Sequence, residues 1–290
     1  MPTFKVANLS FSFEKEIEIL SQRQNYLPFR TEKTVPSQDF LFTMGVDKRI
    51  SLPQEKINFS YTNEIGCYGV TCENQTYKWV LKDTHSDIYY VMVLDVLLKK
   101  AWINFEITNT FTLQAADDFV RFAFIYTAAF HHTVLLHASC IKNKDRGIAF
   151  MGRSGIGKST HSQLWIHYIR NSELLNDDQP AVRIENDEAT IYGTPWSGKT
   201  TCYKNKSVKL YAILCMDQKP FNKLIPIPKI TLFAHLLSAC SLIKTEKVTL
   251  SKITETLSEI VNRVSGGILQ NKPEEEAALL SYEFMQKHSQ

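Results

Sequence analysis

From Phe4 to about Ile107 the apolar residues come in short runs: Phe40-Leu-Phe-Thr-Met44, Ile57 to Tyr61, Tyr77-Lys-Trp-Val-Leu81, Ile88-Tyr-Tyr-Val-Met-Val-Leu94 and Ala101-Trp-Ile-Asn-Phe105. Polar, turn-forming stretches such as Cys72-Glu-Asn-Gln-Thr76 and Lys82-Asp-Thr-His-Ser86 separate them. Runs of that length between turn residues predict strands and, taken together, an antiparallel β unit. From Ala115 to His132 the period changes. Phe119, Phe122, Ile125, Tyr126 and Phe130 recur at helical spacing behind an Asp117-Asp118 pair that suits a first helical turn, and the aromatic stripe reads as core packing. The change in character puts a domain boundary near residue 112, with a β-rich unit at 1–112 and a second unit at 113–290.

In the second unit Val134 to Ile141 and Gly147 to Met151 are apolar runs on either side of the polar turn Lys142-Asn-Lys-Asp-Arg-Gly147, which predicts a hairpin. Leu174-Leu175, Ala181 to Ile184, Thr190 to Tyr192 and Val208 to Met216 read as further strands, and Ile230 to Ala239 and Ile253 to Val264 as helices. Gly266-Gly267 is expected to end the latter helix, Ile268-Leu269 to add an edge strand, and Pro273 to open a last helix with Glu274, Glu275 and Glu276 in its first turn.

At 290 residues, with 44% hydrophobic and 22% charged content, the chain is large enough for two ordinary globular units. A net charge of +3 gives no ground for a nucleic-acid or membrane partner. Six cysteines without C-x-x-C spacing read as reduced core or surface thiols. The N-terminus lacks the pattern of a signal peptide and no stretch is apolar enough to span a bilayer, so a cytoplasmic location is expected.

Chemistry enters at Gly152-Arg-Ser-Gly-Ile-Gly-Lys-Ser159, a complete G-x-x-x-x-G-K-[ST] segment between an apolar run and a helix-compatible stretch. Gly152, Gly155 and Gly157 permit backbone angles that turn successive N–H groups toward phosphate oxygens, with Arg153, Ser154, Ile156 and Thr160 completing the loop and the helix start. Lys158 is placed to reach the outer phosphates and Ser159 to ligand Mg²⁺, while the helix N-terminus adds its positive dipole end. These residues therefore predict a site for ATP, or another nucleoside triphosphate, with Mg²⁺.

Downstream, Asn176-Asp177-Asp178-Gln179 ends a short apolar run, far enough from Lys158 for one helix and a returning strand. Asp177 and Asp178 at a strand end suit phosphoryl transfer, one holding the metal and the other taking the proton of an attacking hydroxyl. His137 lies on the strand before the hairpin, and folding back of that strand would aim it at the same place. A second loop, Pro195-Trp-Ser-Gly-Lys199, offers Trp196, Ser197, Gly198 and Lys199 as acceptor-side contacts, whereas Lys204, Lys206 and Lys209 read as a solvated face.

His137, the 152–159 segment and Leu175-Asn-Asp-Asp178 together resemble the series His, G-x-S-G-x-G-K-S and Asp-Asp of the HPr kinase/phosphorylase family, whose phosphate-loop fold is shared with phosphoenolpyruvate carboxykinases. The match spans roughly residues 133 to 185. The resemblance implies an α/β fold: a P-loop core made of a β-rich mixed sheet with helices, here preceded by a smaller β-rich N-terminal domain. It implies catalytic roles for His137, Lys158, Asp177 and Asp178, nucleotide binding by the loop, metal binding by Ser159, Asp177 and Asp178, and a place for a homo-oligomer that no residue pattern fixes. In place of the second HPr-kinase signature, of the Glu-Val-Arg-Gly-Leu-Gly type, stands Tyr192-Gly-Thr-Pro-Trp-Ser-Gly-Lys-Thr200. The chain is thus similar to HPr-kinase-like proteins with a Pro-Trp-Ser-Gly-Lys loop. Two functions follow as expectations: a kinase moving a phosphoryl group to a hydroxyl of a peptide, protein or small molecule, or a non-catalytic nucleotide- or phosphate-binding module that docks a peptide partner.

Overall fold

The short apolar runs of the first hundred residues become strands because alternate side chains can be buried on one face of a pleated sheet. In the computed structural model, which describes all residues except 55, 85, 87, 199, 242–246 and 288–290, the chain is a mixed α/β protein with two large mixed sheets. It divides into two compact units, Met1–Phe130 with Leu242–Leu250, and His131–Ser241 with Ser251–Gln290.

The strands of the first unit are β1 (Thr3–Val6), β2 (Leu9–Phe13), β3 (Arg30–Thr31), β4 (Phe40–Val46), β5 (Phe59–Thr62), β6 (Gly66–Glu73), β7 (Thr76–Asp83), β8 (Tyr89–Asp95) and β9 (Lys100–Ile103). Among the described residues their order is β3-β1-β2-β4-β9-β8-β7-β6-β5. The expected antiparallel unit is instead a mixed sheet, because β4 pairs in parallel with both β2 and β9. Strand alternation reports which face is buried and is silent on strand direction.

Helix α1 (Thr110–Ala128) starts earlier than expected, at a capping box in which Thr112 N donates to Asn109 Oδ1 (2.9 Å) and Asn109 N donates to Thr112 Oγ1 (3.1 Å). Its aromatic face lies on the first sheet, Phe122 stacking on Trp79 at 4.3 Å and Tyr126 meeting Tyr77 at 4.9 Å. Contacts therefore group the helix with the first unit, and the division falls after it instead of near residue 112, where the sequence changes character. Asp117 and Asp118, read as first-turn acids, are instead buried within the helix. Asp117 takes Tyr26 Oη at 2.5 Å and Arg23 at 3.1 Å, and Asp118 takes Tyr68 Oη at 2.7 Å, Asn63 Nδ2 at 2.8 Å and Arg121 at 2.9 Å. Burial pushes the Asp117 carboxyl above its ordinary range, opposed by Arg23 and the Tyr26 hydroxyl.

The second unit contains β10 (Thr133–Leu135), β11 (Ala138–Asn143), β12 (Arg146–Met151), α2 (Lys158–Tyr168), β13 (Ser172–Asn176), β14 (Ala181–Glu185), β15 (Glu188–Tyr192), β16 (Ser207–Gln218), β17 (Lys223–Pro226), α3 (Lys229–Ala239), α4 (Lys247–Arg263, from Ser251 onward), β18 (Ser265–Asn271) and α5 (Glu275–Lys287). The sheet runs β10-β14-β15-β16-β12-β11-β13, with β18 joined to β16 and β17. β12, β16 and β18 are parallel neighbours and the other pairs are antiparallel. Two expectations change. Gly266 and Gly267 lie inside β18 and do not terminate a helix: a Cβ at Gly266 would sit 2.9 Å from Leu232 Cδ2, so the bare backbone makes room for α3. Ile268 and Leu269 are paired on both sides, to β16 and β17, so they do not form an edge.

The core against α2 and α5 includes Ile148, Phe150, Trp165, Leu214 and Met285. At that seam Trp165 Nε1 donates to Ser281 Oγ (2.7 Å), which lies 3.1 Å from His161 Nε2. His161 is 1% exposed and edge-on to Phe150 at 4.6 Å. Burial pushes its imidazole down to about 4. A folded-state value below the unfolded one, about 6.5, means the unfolded chain binds the extra proton in that interval. Stability from this residue is thus complete above about pH 6.5 and declines as pH falls toward 4, by up to about 3 kcal/mol. Urea unfolding of the parental chain and His161→Gln between pH 4 and 8 checks this, and the parental acid slope should exceed the variant's.

Lys204 and Lys206 both pair with Glu173, at 2.9 and 2.8 Å, and Lys209 pairs with Glu188 at 2.6 Å. All six cysteines are free thiols; Cys140, Cys202, Cys215 and Cys240 are buried, which raises the Cys215 thiol to about 11. Among the described residues no helix is long and apolar enough to cross a membrane.

Candidate functional site

Strand β12 is buried along its length from Gly147 to Met151, so the chain leaves the sheet interior at Gly152 and must turn sharply to enter α2. Gly152, Gly155 and Gly157 adopt φ of +152°, +79° and +101°, conformations that cost an L side chain. Around Gly155 and Gly157 nothing lies within 4 Å of where a Cβ would project, whereas at Gly152 a Cβ would meet Ile156 at 2.8 Å. Gly157 is the N-cap of α2 and offers no side-chain cap, so the first-turn N–H groups have no partner from a capping side chain. Exposed backbone with positive φ at the positive end of a helix is a surface suited to an anion.

Lys158 folds back over this loop. Its Nζ donates to the carbonyls of Gly152 (2.9 Å) and Arg153 (3.4 Å) and stands 3.2 Å from His137 Nε2. The residue is 7% exposed, and burial pushes the ammonium below its ordinary lysine value, partly offset by Asp178 and Asp177.

His137 sits where the expected continuous strand breaks between β10 and β11. Leu136 N donates to Pro180 O (3.1 Å), His137 N to Ala239 O (2.8 Å) and Ala138 N to Asp178 O (3.0 Å). The break arises because β10 pairs with β14 while β11 pairs with β12 and β13, so the chain crosses the 177–180 turn between them. That crossing holds His137 Nε2 3.3 Å from Asp178 Oδ1. A single ring nitrogen cannot both accept from Lys158 and donate to Asp178, so the proton on Nε2 decides which neighbour it binds.

The acidic doublet follows β13 on a turn capped by Asn176, whose Oδ1 accepts from Asp178 N (2.9 Å) and Gln179 N (2.8 Å). Asp178 is partly exposed. Asp177 is 5% exposed, and its Oδ1 is buried with no hydrogen-bond partner among the described residues.

These groups share one cavity of about 310 Å³. Ser154, Gly155, Gly157, Lys158, Ser159 and Thr160 wall it from the loop and the first turn of α2; His137, Asp177 and Asp178 face them, and Gly198 lies beside the doublet. The remaining expected residues have other places. Gly152 and Arg153 hold Lys158 through their carbonyls, and Ile156 packs on the core below. Trp196 is 6% exposed and is not a wall of the cavity, so its ring is not an open platform. Ser197 Oγ donates to Thr200 O at 2.7 Å, and Lys199 lies outside the described residues. Asn176 and Thr194, which tie the doublet to this second loop, escaped the sequence reading. Only the Asx-turn potential of an Asn at a strand end pointed to the first of them.

The residues present fit a magnesium ion. Among the described residues no three His, Cys, Asp or Glu side chains form a metal cage, yet Mg²⁺ is characteristically held by one or two carboxylates together with phosphate oxygens. Ser159, Asp177 and Asp178 bring hard oxygen donors to the same cavity, and the partnerless Asp177 Oδ1 is a buried acceptor that a cation would satisfy.

No protein-family model and no curated protein sequence matches the chain. Among solved structures it is similar to the Hpr(Ser) kinase/phosphatase from Coxiella burnetii, at 13% identity over 53% of this chain and 89% of that chain, with a TM-score of 0.31. A likeness at that level does not extend to individual residues.

Proposed function

We propose that the chain is an ATP- and Mg²⁺-dependent phosphotransferase that moves the terminal phosphoryl group to a hydroxyl of a peptide, protein or small molecule. The observation that carries this reading is the meeting, in one cavity, of a positive-φ glycine loop, a desolvated lysine and a carboxylate pair in which Asp177 Oδ1 is buried with no hydrogen-bond partner among the described residues.

In this reading the phosphate tail lies along the loop and the α2 N-terminus, where backbone N–H groups and Lys158 meet its charge. The Lys158 ammonium exchanges the neutral carbonyls of Gly152 and Arg153 for phosphate oxygens, which are stronger acceptors. Ser159 and Asp177 would hold Mg²⁺, which would supply charge neutralisation of the phosphate oxygens. Asp178, partly exposed and facing the cavity, takes the proton of the acceptor hydroxyl as its oxygen forms the new P–O bond and the bond to the nucleoside diphosphate breaks. His137, in reach of both Asp178 and Lys158, orients the carboxylate and responds to its protonation.

Calorimetric titration with ATP and ADP, paired with an ADP-release assay with and without Mg²⁺ and hydroxyl acceptors, tests this. Mg²⁺-dependent ADP release is expected. Binding without release under any acceptor would favour the non-catalytic module, and absence of nucleotide binding would end both readings.

A further inference from the structure

We infer that Asn176 is a positioning residue that locks the acidic doublet to the segment Thr194–Gly198; the catalytic consequence drawn from this rests on the phosphotransfer reading, the lock itself does not. Asn176 is 0% exposed, and each of its polar functions is used. While Oδ1 accepts from the Asp178 and Gln179 amides, Nδ2 faces Trp196 O at 3.1 Å, Thr194 Oγ1 at 3.3 Å and Thr194 O at 3.4 Å. The amide's orientation is fixed by these neighbours, with backbone donors on one side and carbonyls on the other.

Thr194 completes the lock from the opposite side. Its buried hydroxyl donates to Gln179 O at 2.7 Å and accepts from Trp196 N at 3.2 Å. Beyond it, the segment comes so near that a Cβ on Gly198 would lie 3.2 Å from Asp178 Cβ. Two buried side chains thus stitch residues 176–179, which carry the two carboxylates lining the cavity of Lys158, to 194–196. An Asp at 176 could keep the turn but has no donor for the second segment, and a Ser is too short for both tasks. Asn serves both because it presents an acceptor and a donor from one planar group.

Asn176→Asp keeps the shape and the acceptor side and removes the donor side. Its amide exchange, followed by mass spectrometry, is expected to accelerate about tenfold or more in residues 176–179 and 194–198, while β12 and β16 keep parental protection. Turnover of MgATP is expected to fall about 10²-fold, the scale of a displaced catalytic group, while ADP affinity stays within about threefold. A loss in kcat without a loss in binding separates positioning from general support of the fold. Exchange unchanged in both segments, exchange raised throughout the unit, or parental turnover despite local loss of protection would each overturn the inference. If the parental chain neither binds nor turns over nucleotide, the phosphotransfer reading fails and the exchange measurement alone decides whether the lock exists. Should Asn176→Asp not fold, Thr194→Val, which loses the bond to Gln179 O, is expected to show the same local pattern; parental exchange there would sink the lock.

Discussion

Lys158→Met is expected to lower turnover of MgATP by about 10³-fold and to weaken nucleotide binding by about tenfold or more, while the melting temperature stays at or above the parental value. The first part follows from removing a charged donor aimed at oxygens on which charge builds during transfer, a type of loss that costs about 10²–10³-fold for a single group. The second follows because the ammonium now rests on two neutral carbonyls, a weaker arrangement than a phosphate contact. The third is specific to this environment. Burial holds the Lys158 pKa below its ordinary range, so the charge is disfavoured where it stands, and a neutral side chain of similar length relieves that cost. Loss of function without loss of stability marks a residue placed for a ligand. Calorimetric ADP titration, an ADP-release assay and a thermal melt on the same preparation check all three. A variant that binds and turns over like the parent removes the loop from the proposed chemistry, and one that merely unfolds reduces Lys158 to a structural role.

What the sequence disclosed about this site depended on how local each feature is. The glycine loop is legible because its geometry is carried by consecutive residues: positive φ at Gly152, Gly155 and Gly157, then a helix starting at Lys158. The hairpin of β11 and β12 is legible for the same reason, since its polar turn and flanking runs are contiguous. Properties that depend on distant partners were not. Asp117 and Asp118 look like first-turn acids until Arg23, Tyr26, Asn63 and Tyr68, all far away in the chain, are seen to close on them. Gly266-Gly267 looks like a helix stop until Leu232 is found against the bare backbone. The parallel placement of β4 between β2 and β9 leaves no mark in alternation. Asn176 belongs to the same group: one residue in an unremarkable run, whose side chain meets five partner atoms on four residues, from its own turn and from a loop many residues on.

The doublet offers the sharpest division of labour, since its two carboxylates occupy different environments and should fail differently. Asp178→Asn is expected to reduce transfer by about 10³-fold with ADP affinity nearly unchanged, because removing a positioned base costs about 10²–10⁴-fold in the chemical step and the group lies beside His137 instead of under the loop carbonyls. Asp177→Asn should show a comparable fall in rate together with a raised Mg²⁺ requirement. Its Oδ1 is buried without a hydrogen-bond partner among the described residues, a position that an amide fills at similar volume but with far less affinity for a hard cation. The cap on the turn, Asn176 Oδ1 accepting from the Asp178 and Gln179 amides, uses backbone donors that both variants keep, so both should melt close to the parent. Rates measured across a Mg²⁺ series separate the two. If Asp178→Asn shifts the Mg²⁺ dependence and Asp177→Asn does not, the roles are exchanged, since the acid that holds the cation would be the exposed one. If both transfer phosphate at the parental rate, the cavity binds an anion but does not perform the reaction, because among the described residues no other carboxylate lines it to accept the hydroxyl proton.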